Sequence, residues 1–235
     1  MIEDASAAHA EPAPEGADSG AVPPGVGPWP GGRAAWPDDP RYDPELLAEG
    51  DRRNVVDRFR YWRVEAIVAE LDRSRQPVHV AIENWQHDLN IGSIVRTANA
   101  FNVAGVHIVG RRRWNRRGAM VTDRYLHLSR HASIGELVAW AAEAALPIIA
   151  VDNVAGSVPV HRTALPERCV LLFGQEGPGL SAEALAAAEQ VVEIEQFGST
   201  RSLNAAAAAA IVLYEWARRG PYRRDTEQFS VHPSW

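Results

Sequence analysis

Apolar positions along this chain follow two alternating arrangements. The runs VHVAIE (78–83), GVHIVG (105–110), PIIAVD (147–152), RCVLLFG (168–174) and VVEIE (191–195) are short and almost continuously apolar, the signature of strands covered on both faces. Between them lie longer segments with helical spacing. NIGSIVRTANAFN (90–102) is opened by Asn90, SIGELVAWAAEAAL (133–146) has Ser133 as cap with Glu136 three residues on, and SAEALAAAEQ (181–190) has Ser181 as cap. SLNAAAAAAIVLYEWARR (202–219) predicts a long helix, its alanine run combining the best helix former with a small side chain that permits close packing. A further helix is predicted over 51–75, where Phe59, Trp62, Ile67 and Leu71 tend to one face. Strands alternating with helices in this way predict an α/β fold with a mostly parallel sheet flanked by helices.

Composition divides the chain. Residues 1–50 are rich in Ala, Pro, Gly and acids and predict a disordered acidic tail, although GPWPGGRAAWPDD within it carries two tryptophans able to dock locally. Residues 51–220 predict one globular domain with a basic helix at its start, and 221–235 a C-terminal tail. The net charge of −6 is unevenly spread: the first 50 residues hold 2 Arg against 10 acids, leaving 22 Arg against 20 acids elsewhere. The globular part is therefore mildly basic, compatible with nucleic acid without requiring it. A start without basic residues or an apolar segment is not expected to be a signal peptide, and no run approaches the roughly 18 apolar residues of a membrane span. Cys169 is the sole cysteine and reads as core, so a cytoplasmic location is expected. The histidines, including His79, His87, His127 and His131, form no recognised zinc spacing, and no metal is expected.

The stretch LLFGQEGPGLS (171–181) has the glycine spacing of a phosphate-binding loop, with Gly174, Gly179 and Ser181 in register. Leu180 stands where that loop needs its lysine, and the chain contains no lysine at all, which argues against a triphosphate. Taken with NIGSIVRTANAF and FGSTRSLNAAAAAAIVLYE, the stretch instead resembles, in order and spacing, the three signature motifs of the SpoU/TrmH family of RNA ribose 2′-O-methyltransferases in the SPOUT superfamily.

That resemblance, over roughly 53–219, implies a C-terminal trefoil knot, one of the exceptions to the rule that chains do not knot. It implies an S-adenosyl-L-methionine site in the knot, formed around Leu172, Phe173, Gly174, Glu176, Gly179, Ile194, Gln196, Ser202 and Leu203. It places the catalytic role on Arg96, assisted by Asn90, Glu176, Ser202 and Asn204. Arg96 would take the proton of the 2′-hydroxyl or orient that hydroxyl, with help from an RNA phosphate and neighbouring groups, because a free guanidinium stays protonated at neutral pH and has no acceptor. Asn90 would cap its helix or hold the arginine and substrate, Glu176 and Asn204 would organise the loops, and Ser202 would face the substrate while capping the last helix. The resemblance further implies a homodimer. It implies an RNA substrate, tRNA favoured over rRNA; a ribosomal RNA methyltransferase and an inactive RNA-binding assembly factor are the alternatives.

The segment GRRRWNRRG (110–118) follows a strand end, and Arg111, Arg112, Arg113, Trp114, Arg116 and Arg117 are expected to meet RNA through phosphate forks and stacking. Arg58 and Arg60, in a second cluster with Arg52, Arg53 and Arg63, extend that surface. Two departures from the family pattern stand out. Asn102 replaces the usual glycine after Phe101, though asparagine tolerates left-handed backbone, and IEQFG replaces the more apolar I-P-M-x-G, leaving the cofactor loop more polar.

Overall fold

The five apolar runs and two shorter segments assemble into a sheet of seven parallel strands in the order β3-β2-β1-β6-β4-β7-β5 in the computed structural model, which describes residues 25–84, 90–111, 113–114, 116–175 and 177–220. Along the chain the elements are α1 (Pro44–Glu49), α2 (Val64–Asp72), β1 (Gln76–Asn84), α3 (Asn90–Ala100), β2 (Val103–Gly110), β3 (Leu128–His131) and α4 (Ile134–Glu143). They continue with β4 (Ile148–Val151), β5 (Val158–Pro159), β6 (Cys169–Phe173), α5 (Ala182–Ala187), β7 (Gln190–Glu193) and α6 (Ala205–Arg219).

Side chains alternate across each strand, so the central pair β1 and β6 feeds two layers. Val78, Val80, Ile82, Leu171 and Phe173 pack with Ile91, Ile94 and Val95 of α3 and with Val212, Leu213 and Trp216 of α6. Ala81, Val170 and Leu172 pack on the opposite face with Ile134 and Leu137 of α4 and Ala184 of α5. Cys169 lies fully within the first layer, and burial pushes its thiol up to about 12, so it is core as expected. Ser133 and Ser181 cap α4 and α5, accepting hydrogen bonds from Glu136 N (3.2 Å) and Ala184 N (3.1 Å). Asn102 adopts left-handed backbone (φ 47°), so the glycine substitution keeps the turn.

Three expectations change. Residues 25–50 are not a structureless tail: Val26 pairs with Asp51, Asp43 caps α1, and Leu47 is buried. The aromatic residues supply the missing apolar surface. Trp29 meets Tyr42 and Tyr61 edge to face at 5.6 and 5.2 Å, and the Tyr61 hydroxyl donates to Gly27 O at 2.7 Å. Residues 1–24 lie outside the described residues, as do 221–235.

The continuous helix predicted over 51–75 is also absent. A short 3-10 turn at Asp57–Phe59 precedes α2, and Tyr61 in left-handed backbone (φ 62°) breaks the helix between them. The segment is organised instead by the buried Asp51 carboxylate, which accepts from Tyr61 N at 2.9 Å and from both Nε (2.9 Å) and Nη2 (2.7 Å) of Arg53. Burial alone would raise the pKa of Asp51, but these hydrogen bonds win and hold it below the usual carboxylate range. Phe59, Trp62 and Ile67 do share one cluster, closed by Tyr125.

Finally, β3 and β5 carry no apolar run. β3 is an edge strand in which His131 alone is buried. His131 ends a ladder that crosses three strands: His79 Nδ1 lies 3.0 Å from His107 Nε2, and His107 Nδ1 lies 2.9 Å from His131 Nε2. Trp140 of α4 covers it, 4.0 Å from the His107 ring centroid. Burial depresses all three, His79 to about 4 and His107 to about 3.

Candidate active site

In a parallel sheet the carboxyl ends of all strands face one edge, and the loops leaving them form the natural crevice. Here the loops after β4, β6 and β7 and the entry to α6 enclose a cavity of about 440 Å³, within the roughly 300–1,000 Å³ of small-molecule sites. Phe173, Gly174 and Gly179 form one wall, Ile194 and Gln196 a second, and Ser202, Leu203 and Asn204 a third.

The glycine-rich loop folds back on itself, with Gln175 and Gly179 exchanging backbone hydrogen bonds of 3.2 Å. A Cβ on Gly174 would stand 2.4 Å from the Gly179 carbonyl carbon, so no other residue fits there. Gly179 has φ +71°, and its Cβ would meet Asp152 Oδ2 at 2.7 Å. That same carboxylate oxygen accepts from Leu180 N at 2.8 Å. Beneath the loop Glu83, fully buried at the end of β1, accepts from Ser181 N (2.8 Å) and Ser181 Oγ (2.7 Å). Two carboxylates therefore hold one loop at adjacent residues, Asp152 at Leu180 and Glu83 at Ser181. Both acids end segments predicted as strands, VHVAIE and PIIAVD, and the only sequence signal for their role is an acid closing an otherwise apolar run.

The predicted cofactor residues Phe173, Gly174, Gly179, Ile194, Gln196, Ser202 and Leu203 all line the cavity. The Leu172 side chain is turned by strand alternation to the α4 and α5 layer, so only its backbone, the part expected to meet the cofactor, is left for that contact. Glu176 and Arg112 lie outside the described residues. Ser202 is not the cap of α6. Asn204 takes that place, its Oδ1 accepting from Ala206 N (3.0 Å) and Ala207 N (3.3 Å), because α6 begins three residues later than the sequence pattern implied. The Asn204 Nδ2 then donates to Asn90 Oδ1 at 2.8 Å, tying the first residue of α3 to the cavity wall. Arg96 stands on the exposed face of α3, away from the cavity lining, without a hydrogen bond or ion pair among the described residues.

The arginine segment rises from the same sheet edge. Asn84 Nδ2 donates to Arg111 O and Arg113 O at 2.9 Å each, fixing the start of the loop. Arg111, Arg113, Arg116 and Arg117 are exposed, whereas Trp114 is half-buried against the core with Arg116 5.5 Å from its ring, so it is not a free stacking plane. Arg58 is exposed over Phe59. Arg60 is not part of a free basic surface: its Nη1 donates to Arg53 O at 2.6 Å, which commits it to the fold of the Asp51 segment.

The cavity fits S-adenosylmethionine on its own chemistry. Gln196 Oε1 is buried without a partner among the described residues, an acceptor awaiting a ligand N–H or O–H. Asp152 and Glu193 line it with negative charge that complements a sulfonium and an ammonium, and Arg201 offers a partner for a carboxylate. Among the described residues no group of His, Cys, Asp or Glu is arranged to hold a metal ion, and no helix is long and apolar enough to cross a membrane.

The chain is similar to known proteins in sequence and in fold. The Escherichia coli K12 tRNA (guanosine(18)-2′-O)-methyltransferase is 32% identical over 168 residues, 68% of this chain and 73% of its own. The Thermus thermophilus enzyme of the same name is 29% identical over 161 residues, 65% of this chain and 80% of its own. Among solved structures, the A. aeolicus TrmH/SpoU tRNA modifying enzyme shares the fold at TM-score 0.61 and 22% identity, over 69% of this chain and 84% of its own. The SpoU methyltransferase AviRb from Streptomyces viridochromogenes, in complex with AdoMet, matches at TM-score 0.56 and 29% identity, over 64% of this chain and 60% of its own. The family model described as the SpoU rRNA Methylase family matches residues 77–214, from the first central strand to the last helix, and the chain belongs to that family.

Proposed function

We propose that this protein is an S-adenosylmethionine-dependent methyltransferase that acts on a ribose 2′-hydroxyl of tRNA. The observation that carries the reading is the cavity itself: a glycine loop held by Glu83 and Asp152, faced by the unpaired Gln196 acceptor and joined to α3 through Asn204 and Asn90. When bound, S-adenosylmethionine supplies an activated methyl group on its sulfonium. Gln196, Arg201 and the loop backbone would bind and orient the cofactor, and Leu203 and Phe173 would exclude water from it. Arg96 would hold the 2′-hydroxyl and an adjacent phosphate, so that the hydroxyl proton passes to a phosphate oxygen or to water as the oxygen–methyl bond forms and the sulfonium–methyl bond breaks, leaving a neutral thioether.

Because Arg96 stands apart from the cavity of its own chain, the reading includes a homodimer in which the partner completes the site. Phe197, Ile211 and Tyr214, exposed beside the cavity at 95%, 42% and 56%, supply an apolar face for that contact. The trefoil knot, the cytoplasmic location and a role for Glu176 in ordering the loop belong to the same proposal. The names of the Escherichia coli and Thermus thermophilus relatives favour tRNA over rRNA as substrate.

The test is to incubate the protein with methyl-labelled S-adenosylmethionine and separate pools of unmodified tRNA and rRNA, then digest and identify the labelled nucleoside. A 2′-O-methylnucleoside from tRNA is expected. Label confined to rRNA would move the target to the ribosome, and cofactor binding without transfer to either would favour an inactive RNA-binding factor.

A further inference from the structure

Two residues of the loop that carries the arginine segment have a conformation and a chemistry that the fold does not require. Between a 3-10 turn at Arg117–Ala119 and another at Thr122–Tyr125, Met120 and Val121 both adopt left-handed backbone, with φ 47° and 66°. A β-branched residue there is an outlier, and glycine or asparagine would be the residue that suits the turn. Their side chains are 54% and 51% exposed, so they do not contribute to the core either.

The flanks are buried and hydrogen-bonded. Ala119 is fully buried, Thr122 Oγ1 donates to Ala119 O at 2.6 Å, and Tyr125 is buried in the aromatic cluster. Gly118 lies so close to α3 that a Cβ would meet Ser93 N at 2.9 Å. The turn thus rests on the helix that carries Asn90 and Arg96. It lies in the connection from β2 to β3 and packs on the first turn of α3, the helix whose Asn90 is tied to Asn204 of the cavity wall. In the same connection Arg113, Arg116, Arg117 and Arg124 are exposed, with Asp123 3.5 Å from Arg116.

An apolar tip on buried anchors, in a connection that carries four exposed arginines, matches a polyanion with apolar faces in its interior. We propose that Met120 and Val121 form a wedge that enters the RNA substrate and packs against a base, while the exposed arginines hold the phosphates on either side. The wedge rests on the RNA-methyltransferase reading. It adds the means by which a structured RNA is opened beside the site, at the cost of backbone strain that folding alone would not select.

The double substitution Met120→Asn with Val121→Gly suits the left-handed turn and removes the apolar tip. It is expected to raise the melting temperature, to weaken binding of unmodified tRNA by at least about tenfold, and to leave S-adenosylmethionine affinity unchanged. The slope of log affinity against log salt should stay that of the wild type, because no phosphate contact is lost, whereas Arg117→Ala should lower it by about one. Val121→Thr keeps the branching and the strain, and should weaken binding without the gain in stability. Unchanged tRNA affinity in the double variant, with a wild type that binds and methylates tRNA, would overturn the wedge and spare the enzyme reading. A wild type that binds no RNA would overturn both. A change of oligomeric state in the double variant would assign the tip to a subunit contact and overturn the proposal.

Discussion

Asn204 at the start of α6 donates a 2.8 Å hydrogen bond to Asn90 at the start of α3, joining residues 114 positions apart at the lip of the cavity. The same Asn204 side chain caps α6 through its oxygen, so one amide performs two tasks with its two ends. Asn204→Asp keeps the cap and loses the donor, while Asn204→Ala loses both. We expect Asn204→Ala to cost about 1–2 kcal/mol in denaturant unfolding and Asn204→Asp much less, with both lowering the rate of methyl transfer. Equal activity in Asn204→Asp and the wild type would show that the contact to Asn90 is structural only.

Glu83 is not among the residues that line the cavity, yet it fixes the loop that borders it. Replacing it by Ala leaves the Ser181 N–H and hydroxyl without their buried acceptor, and should cost about 2–3 kcal/mol of stability. Glu83→Gln keeps an acceptor for one of these bonds and should fall between. Urea unfolding of both variants, with cofactor titration, tests the ranking and should show weakened cofactor binding in each.

Gly179→Ala introduces a Cβ 2.7 Å from Asp152 Oδ2 at a backbone φ of +71°. The loop must shift, and its shift breaks the bond from Leu180 N to Asp152. Cofactor affinity measured by calorimetry should fall by roughly tenfold or more, while global stability drops by about 1–2 kcal/mol.

The histidine ladder sets an acid limit. With His79 depressed to about 4 and His107 to about 3, the unfolded chain binds protons in a range where the folded chain does not. Their stabilisation is full above about pH 6.5, the unfolded value, and is lost as pH falls through 5 toward the folded values. At pH 4 each contributes a loss of up to about 3 kcal/mol relative to neutral pH. Thermal unfolding from pH 7 to pH 4 should therefore be shallower in His107→Leu than in the wild type.

Arg96→Ala should abolish methyl transfer and leave cofactor binding intact, since Arg96 lies outside the cavity lining. Mixing Arg96→Ala with a protein carrying a disabled cavity, such as Gly179→Ala, should restore part of the activity if the site is shared between subunits. Failure to complement would place the arginine and the cavity in one chain.

Sequence by itself determined the parallel α/β core, because continuous apolar runs and 3.6-residue periodicity report burial directly. It also determined the family, since three ordered motifs with fixed spacing carry backbone requirements, such as those at Gly174 and Gly179, that few other residues meet. Tertiary structure alone decided the rest. Residues 25–50 fold because Trp29 and Tyr42 find Tyr61 and Trp62, partners invisible to a compositional window. Glu83 and Asp152 acquire a role because strand register sets a carboxylate beside a loop nearly 100 and nearly 30 residues away. Arg60 loses its expected role because nearby carbonyls claim its guanidinium. Local sequence encodes what a segment buries, whereas the partners that satisfy its polar groups are fixed only when distant segments meet.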